Sequence, residues 1–435
     1  MKTFFENAEN YNEAVKWRRQ LHQHPQPAWL EFYATGFIAE KLSGWGYEIL
    51  QGYQIIDAEK RLFVPESDVI KKEYEKTLAL GMEEQYLHSA KDGLTGVVGI
   101  LKGREAGPVI AFRFDIDGLE ITESTAASHR PYAEGFVSKH FGYAHMCGHD
   151  SHAATGLLLA KYFADNIEQV KGTIKLIFQP GEEKLCGASA MVPKGIVDDV
   201  NYLIGGHVAS NLLKIGQIAL NVKNMLAIAR FEITYKGKAA HSTGRPDQGK
   251  NALLGACTAV TNLHAIARHG LGAAMINVGR IEGGVTFNVV PDYTAFWLEI
   301  RAATSEINDY MLARVREVIS GAAQMYGLEF EIKPIVNAPA GSASPELIEI
   351  GTRVAMQTPQ IEEVVPEVAI NASEDFVVLA NAVQNRGGKA IYVIHGTPIG
   401  GGQHSNLFDL DEKVILNAAQ FYSLFYEELV KDFVR

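Results

Sequence analysis

Cysteine, basic charge and long apolar runs are all scarce in this sequence. It has three cysteines in 435 residues, too few and too scattered for the disulfide framework of a small secreted scaffold. Its 40 Lys and Arg residues are outnumbered by 51 Asp and Glu, giving a net charge of -11, which excludes the basic footprint of a nucleic-acid binder. No apolar run reaches the ~18 residues of a membrane span, and the first residues are charged rather than apolar. We therefore expect a cytoplasmic protein that binds neither nucleic acid nor membrane.

Short apolar runs alternate with helical patterns along most of the chain. Hydrophobic residues make up 47% of the sequence, enough to bury full cores. The alternation predicts an α/β fold with three layers, in which helices cover both faces of a mixed, mostly parallel sheet. Polar clusters follow the predicted strands, at the edge where α/β sheets form their sites. The predicted strands are 95–101, 108–114, 173–178, 202–206 and 390–394.

The pattern changes between residues 226 and 336, where the predicted elements follow the order β-α-β-β-α-β. This is the order of a ferredoxin-like unit, so we predict an inserted α+β domain at 226–336. Residues 1–225 and 337–435 would then form one catalytic domain that ends in a helix. A charged stretch at 57–92 is predicted to be a solvated surface excursion.

The densest group of metal-binding residue types is the segment Cys147-Gly-His149-Asp-Ser-His152. Thiolate sulfur and imidazole nitrogen bind divalent metals at roughly 2.0–2.3 Å, and the intervening glycine lets Cys147 and His149 reach one ion or two adjacent ions. Taken alone, such a cysteine is more often a small buried hydrophobic residue. The segment indicates a metal site only if other donors join it.

Two adjacent carboxylates, Glu182 and Glu183, closely follow a predicted apolar strand. Their mutual repulsion requires a nearby cation, and neighbouring side chains diverge, so one can ligate a metal while the other acts as general base. His207 follows another predicted strand, and His404 lies in a glycine-rich loop. With the cysteine segment, these residues exceed the four ligands of a closed structural zinc site and indicate a binuclear catalytic centre.

In order and spacing, several motifs resemble those of the aminoacylase and carboxypeptidase family of co-catalytic metallohydrolases, in particular its amidohydrolase branch with a cysteine metal ligand. The motifs are Cys147-Gly-His-Asp-Ser-His152, Phe178-Gln-Pro-Gly-Glu-Glu183, Gly206-His207, Ala239-Ala-His241-Ser242 and Asn288-Val-Val-Pro-Asp292. The resemblance implies Glu182 as general base, and Asp115 and Asp117 as residues that orient ligands. The metal ligands it implies are Cys147, His149, Glu183, His207 and His404.

For the inserted domain, the resemblance implies a lid and dimerisation unit. His241 would stabilise the reaction intermediate from a partner subunit, and Asn288 and Arg301 would bind the substrate's carboxylate, which suits the planar fork of arginine. From the residues alone, a turn-capping His241 and a surface ion pair of Arg301 are the simpler interpretations. The resemblance further implies two divalent ions per subunit, manganese or zinc, and a homodimer or a heterodimer with a related companion subunit.

The 57–92 stretch and Ser128-His-Arg-Pro-Tyr132 narrow the resemblance to hydrolases of p-aminobenzoyl-glutamate, which release p-aminobenzoate and glutamate. Three alternatives stay open: another N-acyl or N-aroyl amino acid as substrate, a non-catalytic partner subunit on the same scaffold, and a thiol hydrolase using Cys147 and His149. The sequence departs from the branch at Gln26, Gly181 and Lys184, where Glu, Ala and a small residue are usual. The departure at Lys184 leaves the substrate open.

Overall fold

The computed structural model describes residues 2–433, and the chain divides into two compact units. The first unit comprises Met1–Lys223, Ser342–Ile370 and Glu374–Arg435, and the second Asn224–Gly341 and Asn371–Ser373. The predicted insertion, 226–336, falls within the second unit. Its role as a lid and dimerisation unit stays a prediction.

Strands and helices alternate along much of the first unit. The ranges below give the elements of both units in chain order. The strands are β1 (Glu48–Leu50), β2 (Val97–Lys102), β3 (Glu105–Asp115), β4 (Lys171–Gln179), β5 (Tyr202–Val208), β6 (Gln217–Ala219), β7 (Val222–Met225), β8 (Ala227–Lys236), β9 (Ala274–Gly283), β10 (Tyr293–Ala302), β11 (Glu329–Ala338), β12 (Glu363–Val365), β13 (Val368–Ala372), β14 (Lys389–His395), β15 (Ile399–Gly400) and β16 (Asp409–Leu410). The helices are α1 (Lys2–Glu6), α2 (Ala8–Gln23), α3 (Phe32–Gly44), α4 (Ser67–Ala79), α5 (Arg130–Ala133), α6 (His149–Asp165), α7 (Gly187–Met191), α8 (Ala252–His264), α9 (Ser305–Tyr326), α10 (Pro345–Ala355), α11 (Phe376–Asn385) and α12 (Lys413–Phe433).

The first unit is built on an eight-stranded mixed sheet with the order β1-β2-β4-β3-β5-β14-β6-β12. Its central pairs, β4 with β3, β3 with β5 and β5 with β14, are parallel. These strands are apolar on both faces because helices cover them, as the sequence pattern predicts. Each of the five predicted strands coincides with one of the longer strands, whereas the three-residue strands β1, β6 and β12 were not predicted.

The register of the sheet sets where polar residues emerge. Phe114 pairs with Phe178, so β3 and β4 end together and Asp115 lies beside Gln179. His207 pairs with Ile394 near the end of β5. The carboxyl ends of the central strands therefore present their polar residues along one edge of the sheet, the edge at which α/β folds form their sites.

Helix α6 and the long terminal helix α12 pack on the sheet and form much of its core. Leu157, Leu158 and Phe163 of α6 are buried, as are Phe421 and Phe425 of α12. Because α6 is apolar on nearly all sides, it is stable only as an enclosed helix. Burying its full length holds its first turn, which begins at His149, in a fixed position.

The second unit contains a four-stranded antiparallel sheet with the order β11-β8-β10-β9. Helices α8 and α9 pack on it through a core that includes Ile233, Phe296 and Met311. Helix α9 begins after Thr304, whose side chain accepts the N–H of Ile307. The helix ends at Tyr326 and is followed by Gly327, whose φ of +63° favours glycine.

The 57–92 stretch contains α4 and several turns. It buries Ile70, Leu87 and Ala90 against Leu30 and Phe32, so it is anchored by a small apolar core of its own in addition to its solvated face. Among residues 2–433, no helix is both long enough and apolar enough to cross a membrane.

Candidate metal centre

Cys147 and His149 are brought together by the glycine between them. Gly148 has a φ of +98° and directly precedes α6. A Cβ atom at Gly148 would lie 2.7 Å from Cγ2 of Val208 on β5. Only glycine therefore permits both the left-handed turn and the close approach to the strand, and this turn directs both side chains to the sheet edge.

The two buried histidines of the centre are oriented by carbonyl groups. Nδ1 of His149 lies 3.0 Å from the carbonyl oxygen of Asp117, and Nδ1 of His207 lies 2.7 Å from that of Val208. A carbonyl only accepts hydrogen bonds, so we assign the proton to Nδ1 in each ring. The lone pair is then on Nε2, and Nε2 of His149 is buried without a hydrogen-bond partner among the described residues. This is the arrangement of a metal-binding imidazole.

The six residues predicted as metal ligands or base come together. Their donor atoms form overlapping groups within 4.8 Å of one another: Cys147, His149 and His207; Cys147, Glu183 and His404; and His149, Glu182 and Glu183. Oε1 of Glu183 is also buried with no hydrogen-bond partner in the described chain. Buried polar atoms without partners are costly, and a thiol, imidazoles and carboxylates together suit divalent transition metals, so the residues present fit a metal centre.

His404 reaches the group from a distant loop. Its backbone N–H donates to the carbonyl of Met146 over 2.8 Å, and its Nε2 lies 3.5 Å from Oε2 of Glu183. Its φ is +61°, an uncommon conformation for a residue with a side chain. The side chain is half-exposed, so His404 forms the solvent-facing side of the centre.

Burial and like charge make the two carboxylates hold protons strongly. Burial, followed by the charges of Glu374 and Glu183, raises the pKa of Glu182 well above its usual range. Burial raises the pKa of Glu183 to about 7. Burial alone lowers the pKa of His149, but the charge of Asp115 and the hydrogen bond with Asp117 raise it well above normal. A cation bound at the centre would offset the repulsion between the carboxylates and favour their ionised forms.

His152 and the two aspartates of β3 and its following loop support the ligands. Nδ1 of His152 lies 2.5 Å from Oδ1 of Asp115, and its Nε2 accepts the N–H of Val208 over 3.1 Å. Both ring nitrogens are thus occupied, and neither is free to bind a metal. Asp117 contacts His149 and accepts the backbone N–H of Glu183, an orienting position between two predicted ligands.

The sequence analysis missed a buried charge cluster beside Glu182. Arg113 is fully buried and pairs with Asp115, Glu374 and Asp375 at 2.6, 2.9 and 2.9 Å. The donor atoms of Glu182, Glu374 and Asp375 lie within 4.8 Å of one another. The sequence contains one indication of this cluster: Arg113 is a charged residue inside the otherwise apolar end of β3, and a buried charge needs buried partners.

Arg130 of the Ser128–Tyr132 motif belongs to a second, largely buried network. Arg130 pairs with Asp409 over 2.5 Å. Arg18, fully buried, pairs with Asp150 over 2.7 Å and with Asp409 over 2.9 Å. Since Asp150 directly follows His149, and Asp409 ends the loop that carries His404, the network connects the chain segments of two predicted ligands.

At two of the sequence departures the side chain pairs with a residue outside the group of predicted donors. Lys184 pairs with the exposed Glu120 over 2.9 Å. Gln26 donates from Nε2 to Glu73 of α4 over 3.3 Å. A glutamate at residue 26 would repel Glu73, so glutamine suits a chain that carries the 57–92 excursion.

The three predicted residues of the second unit lie near turns and strand ends of that unit. Nδ1 of His241 accepts the N–H of Gly244 over 3.1 Å, which leaves the proton on Nε2. Asn288 is exposed, and its carbonyl accepts the N–H of Ser242. Arg301 forms an ion pair with Glu299 over 2.8 Å, the simpler interpretation considered above, and its role toward substrate stays a prediction.

Comparison with known proteins identifies relatives over nearly the whole chain. Indole-3-acetyl-aspartic acid hydrolase of Enterobacter agglomerans is 38% identical over 413 residues, covering 95% of this chain and 94% of the relative. One of the subunits of p-aminobenzoyl-glutamate hydrolase from Escherichia coli is 37% identical over 405 residues and 93% of each chain. The crystal structure of a dinuclear metal-binding peptidase from Bacillus subtilis has a TM-score of 0.74 at 25% identity, covering 98% of this chain and 99% of that one.

These matches confirm the predicted α/β fold class, the predicted family and the predicted enzyme class, a metal-dependent amidohydrolase. Residues 111–428, which include all the proposed donors, match the model of one family. The chain therefore belongs to peptidase family M20/M25/M40.

Proposed function

We propose that this enzyme hydrolyses the amide bond of an N-acyl amino acid at a centre of two divalent metal ions. The observation that carries the proposal is the convergence of Cys147, His149, Glu183, His207 and His404 around Glu182. Buried donor atoms of His149 and Glu183 in this group have no other hydrogen-bond partner in the described chain. The two-ion centre is supported by the similarity to a dinuclear metal-binding peptidase.

The five donor residues would hold the ions, and the mixture of sulfur, nitrogen and oxygen donors is compatible with zinc or manganese. When bound, the ions lower the pKa of water and polarise the substrate's carbonyl. The chain's own residues keep the imidazoles in the required tautomer, through the carbonyl oxygens of Asp117 and Val208.

Glu182 is our candidate for the general base. It lies next to Glu183 yet, within residues 2–433, makes no ion pair closer than the 3.8 Å separating its Oε2 from Nε2 of His149. Its surroundings favour proton uptake, since burial and the charges of Glu374 and Glu183 raise its pKa. Glu182 would take a proton from the attacking water and return it to the leaving amine nitrogen. A non-catalytic subunit on the same scaffold would have no use for this carboxylate.

The proposed substrate class joins an aromatic acyl group to an acidic amino acid. Both curated relatives are named for such amides, p-aminobenzoyl-glutamate and indole-3-acetyl-aspartic acid. We favour p-aminobenzoyl-glutamate, and keep other N-acyl and N-aroyl amino acids as the alternative. Arg301 and Asn288 are proposed to bind the substrate carboxylate.

His241 is proposed to stabilise the reaction intermediate in a partner subunit. Its Nε2 carries the proton in the tautomer that the turn imposes, so it can donate to a developing negative charge. The partner would be a second copy or a companion subunit, since the Escherichia coli relative is named as one of the subunits of its enzyme. Mixing a His241→Ala chain with a Glu182→Gln chain should then restore activity in hybrid dimers. Hybrids that form without activity would contradict a role in the partner. The cytoplasm stays the predicted location.

A substrate panel tests the proposed function. The purified enzyme, supplied separately with manganese and zinc, is assayed on p-aminobenzoyl-glutamate, indole-3-acetyl-aspartate, N-acetylcysteine and hippurate. We expect the aromatic amides of acidic amino acids to have the highest kcat/KM. Metal binding without turnover on any of these amides would favour a non-catalytic subunit.

A further inference from the structure

A groove of about 750 Å³ lies on the 57–92 excursion, in the first unit. All of its lining residues fall between Arg61 and Asp92, so the excursion alone forms it. Its volume lies within the ~300–1,000 Å³ that small-molecule sites occupy. Among the described residues, none of the proposed metal ligands lines the groove, so it is a separate feature of this chain.

The apolar part of the groove comes from α4 and the segment before it. Ile70, Tyr74 and Leu78 line it from the helix, and Val64 and Pro65 from the preceding segment. The ring of Tyr74 is held edge-on against Phe32, with 5.6 Å between the ring centroids. Val64 is 42% exposed. This surface favours contact with an apolar ligand, because removing apolar surface from water lowers the free energy of the system.

The cationic part of the groove centres on Arg61. Its guanidinium packs over the ring of Trp29, and Nη1 donates to the carbonyls of Asp92 and Gly93 over 3.0 and 2.9 Å. Its buried Nε has no hydrogen-bond partner among the described residues. Burial lowers the pKa of Arg61, and the charges of Tyr53 and Asp92 compensate only in part. The guanidinium is therefore held in place by neutral carbonyls.

The other charged residues of the groove leave an excess of positive charge. Lys71 is neutralised by Glu75, 3.9 Å away. Lys91 and the carboxylate of Asp92 also line the groove. With Lys71 and Glu75 cancelling, Arg61 and Lys91 stand against Asp92 alone. This local sign is opposite to the net charge of -11 of the whole chain and favours a negatively charged ligand.

We propose that the groove binds a small carboxylate that carries an aromatic body. The ring would lie on Ile70, Tyr74 and Leu78, and the carboxylate would face the positive charges of Arg61 and Lys91. The aromatic acid released by the proposed reaction belongs to this class. That link rests on the proposed function, whereas the binding site itself does not.

The test uses two equally exposed valines, of which only one lines the groove. Val64 lines it and Val69, on α4, does not, and each is 42% exposed. Binding of 4-bromobenzoate to the metal-loaded enzyme is measured by calorimetry. We expect Val64→Asp to weaken binding by about tenfold or more, because a carboxylate then repels the probe, while Val69→Asp changes it by less than about twofold. A second pair repeats this comparison: Lys91→Glu, in the groove, should weaken binding, and the exposed control Lys72→Glu should leave it nearly unchanged.

Equal effects of Val64→Asp and Val69→Asp would overturn the proposal. So would 4-bromobenzamide, which lacks the carboxylate, binding as tightly as 4-bromobenzoate. If Val64→Asp changes only the oligomeric state, the groove is a protein interface and the proposal is wrong. Because binding is measured without turnover, these outcomes are independent of whether the proposed hydrolysis occurs.

Discussion

The sulfur of Cys147 lies 3.4 Å from Nε2 of His207, 60 positions along the chain. Burial is the main cause that raises the pKa of the thiol and lowers the pKa of the imidazole, so neither group is charged in isolation. A buried thiol and a neutral imidazole gain little from each other. Both would become strong ligands if a divalent ion were bound between them, and this predicted role explains the contact better than packing alone.

Replacing Cys147 by alanine should remove a metal ligand without unfolding the protein. Loss of a group that hydrogen-bonds to a metal ligand lowers metal affinity by roughly tenfold or more, and we expect the loss of a ligand itself to have a larger effect. The measurement is the metal content per chain after dialysis against a weak chelator. Cys186→Ala is the matched control, since Cys186 is also buried but donates to the carbonyl of Gly181. A Cys147→Ala chain with full metal content would show that Cys147 is not a ligand.

Glu182→Gln should leave the metal content unchanged and lower kcat by about 10²–10⁴-fold, the range for losing a general base. The amide keeps the size of the side chain, and Glu182 is not among the proposed ligands. Glu120→Gln, at an exposed carboxylate paired with Lys184, serves as control and should keep normal turnover. If Glu182→Gln retains near-normal activity, the base is another group.

Arg301→Lys should raise KM for an N-acyl amino acid by about tenfold, because lysine cannot bind a carboxylate with a planar fork. Arg230→Lys provides an internal control. Arg230 and Arg301 each bond to Glu299 over 2.8 Å, so each substitution disturbs an ion pair with the same carboxylate. An equal rise in KM for both variants would indicate that Arg301 acts only by holding Glu299.

The Arg18 network should make stability fall in acid. Burial alone would raise the pKa of Asp409, but the charges of Arg18 and Arg130 lower it, and Arg19 and Arg18 likewise lower the pKa of Glu412. A carboxylate whose pKa is lowered by folding stabilises the protein above its unfolded pKa of about 4. This stability is lost as the pH falls through 4 toward the folded value, so Tm should decrease steeply between about pH 5 and pH 3.

Arg18→Met tests this network directly. Removing the cation leaves buried carboxylates unpaired and should cost about 3–5 kcal/mol at neutral pH, with a shallower decrease of Tm in acid. Arg104→Met is the control, because the pair of Arg104 with Glu168 is exposed to solvent. Equal Tm values for the two variants at pH 7 would contradict a structural role of the network.

The longer elements of the fold could be predicted because burial leaves a clear sequence pattern. Strands buried on both faces, such as β4, read as continuous apolar runs, and α9 has the regular spacing of a helix packed on one side. The three-residue strands β1, β6 and β12 are too short to show any period. They form because neighbouring strands offer hydrogen bonds, which is information that only the tertiary structure contains.

The clustering of the candidate donors could be predicted to the extent that these residues lie in local motifs. Cys147, His149 and the two glutamates are close in sequence to glycine turns and strand ends. The cluster of Arg113 with Asp375 was missed because 262 residues separate the two partners and no local spacing connects them. For the same reason the sequence could not show that Arg18 joins the segments of His149 and His404.

The most direct test of the account is activity as a function of bound metal. The enzyme is dialysed exhaustively against EDTA, and kcat on p-aminobenzoyl-glutamate is measured as manganese or zinc is added back and counted per chain. We predict no turnover without metal and full recovery when two ions are bound. Undiminished hydrolysis by the metal-free enzyme would contradict the account, as would full recovery without metal bound near Cys147 and His404.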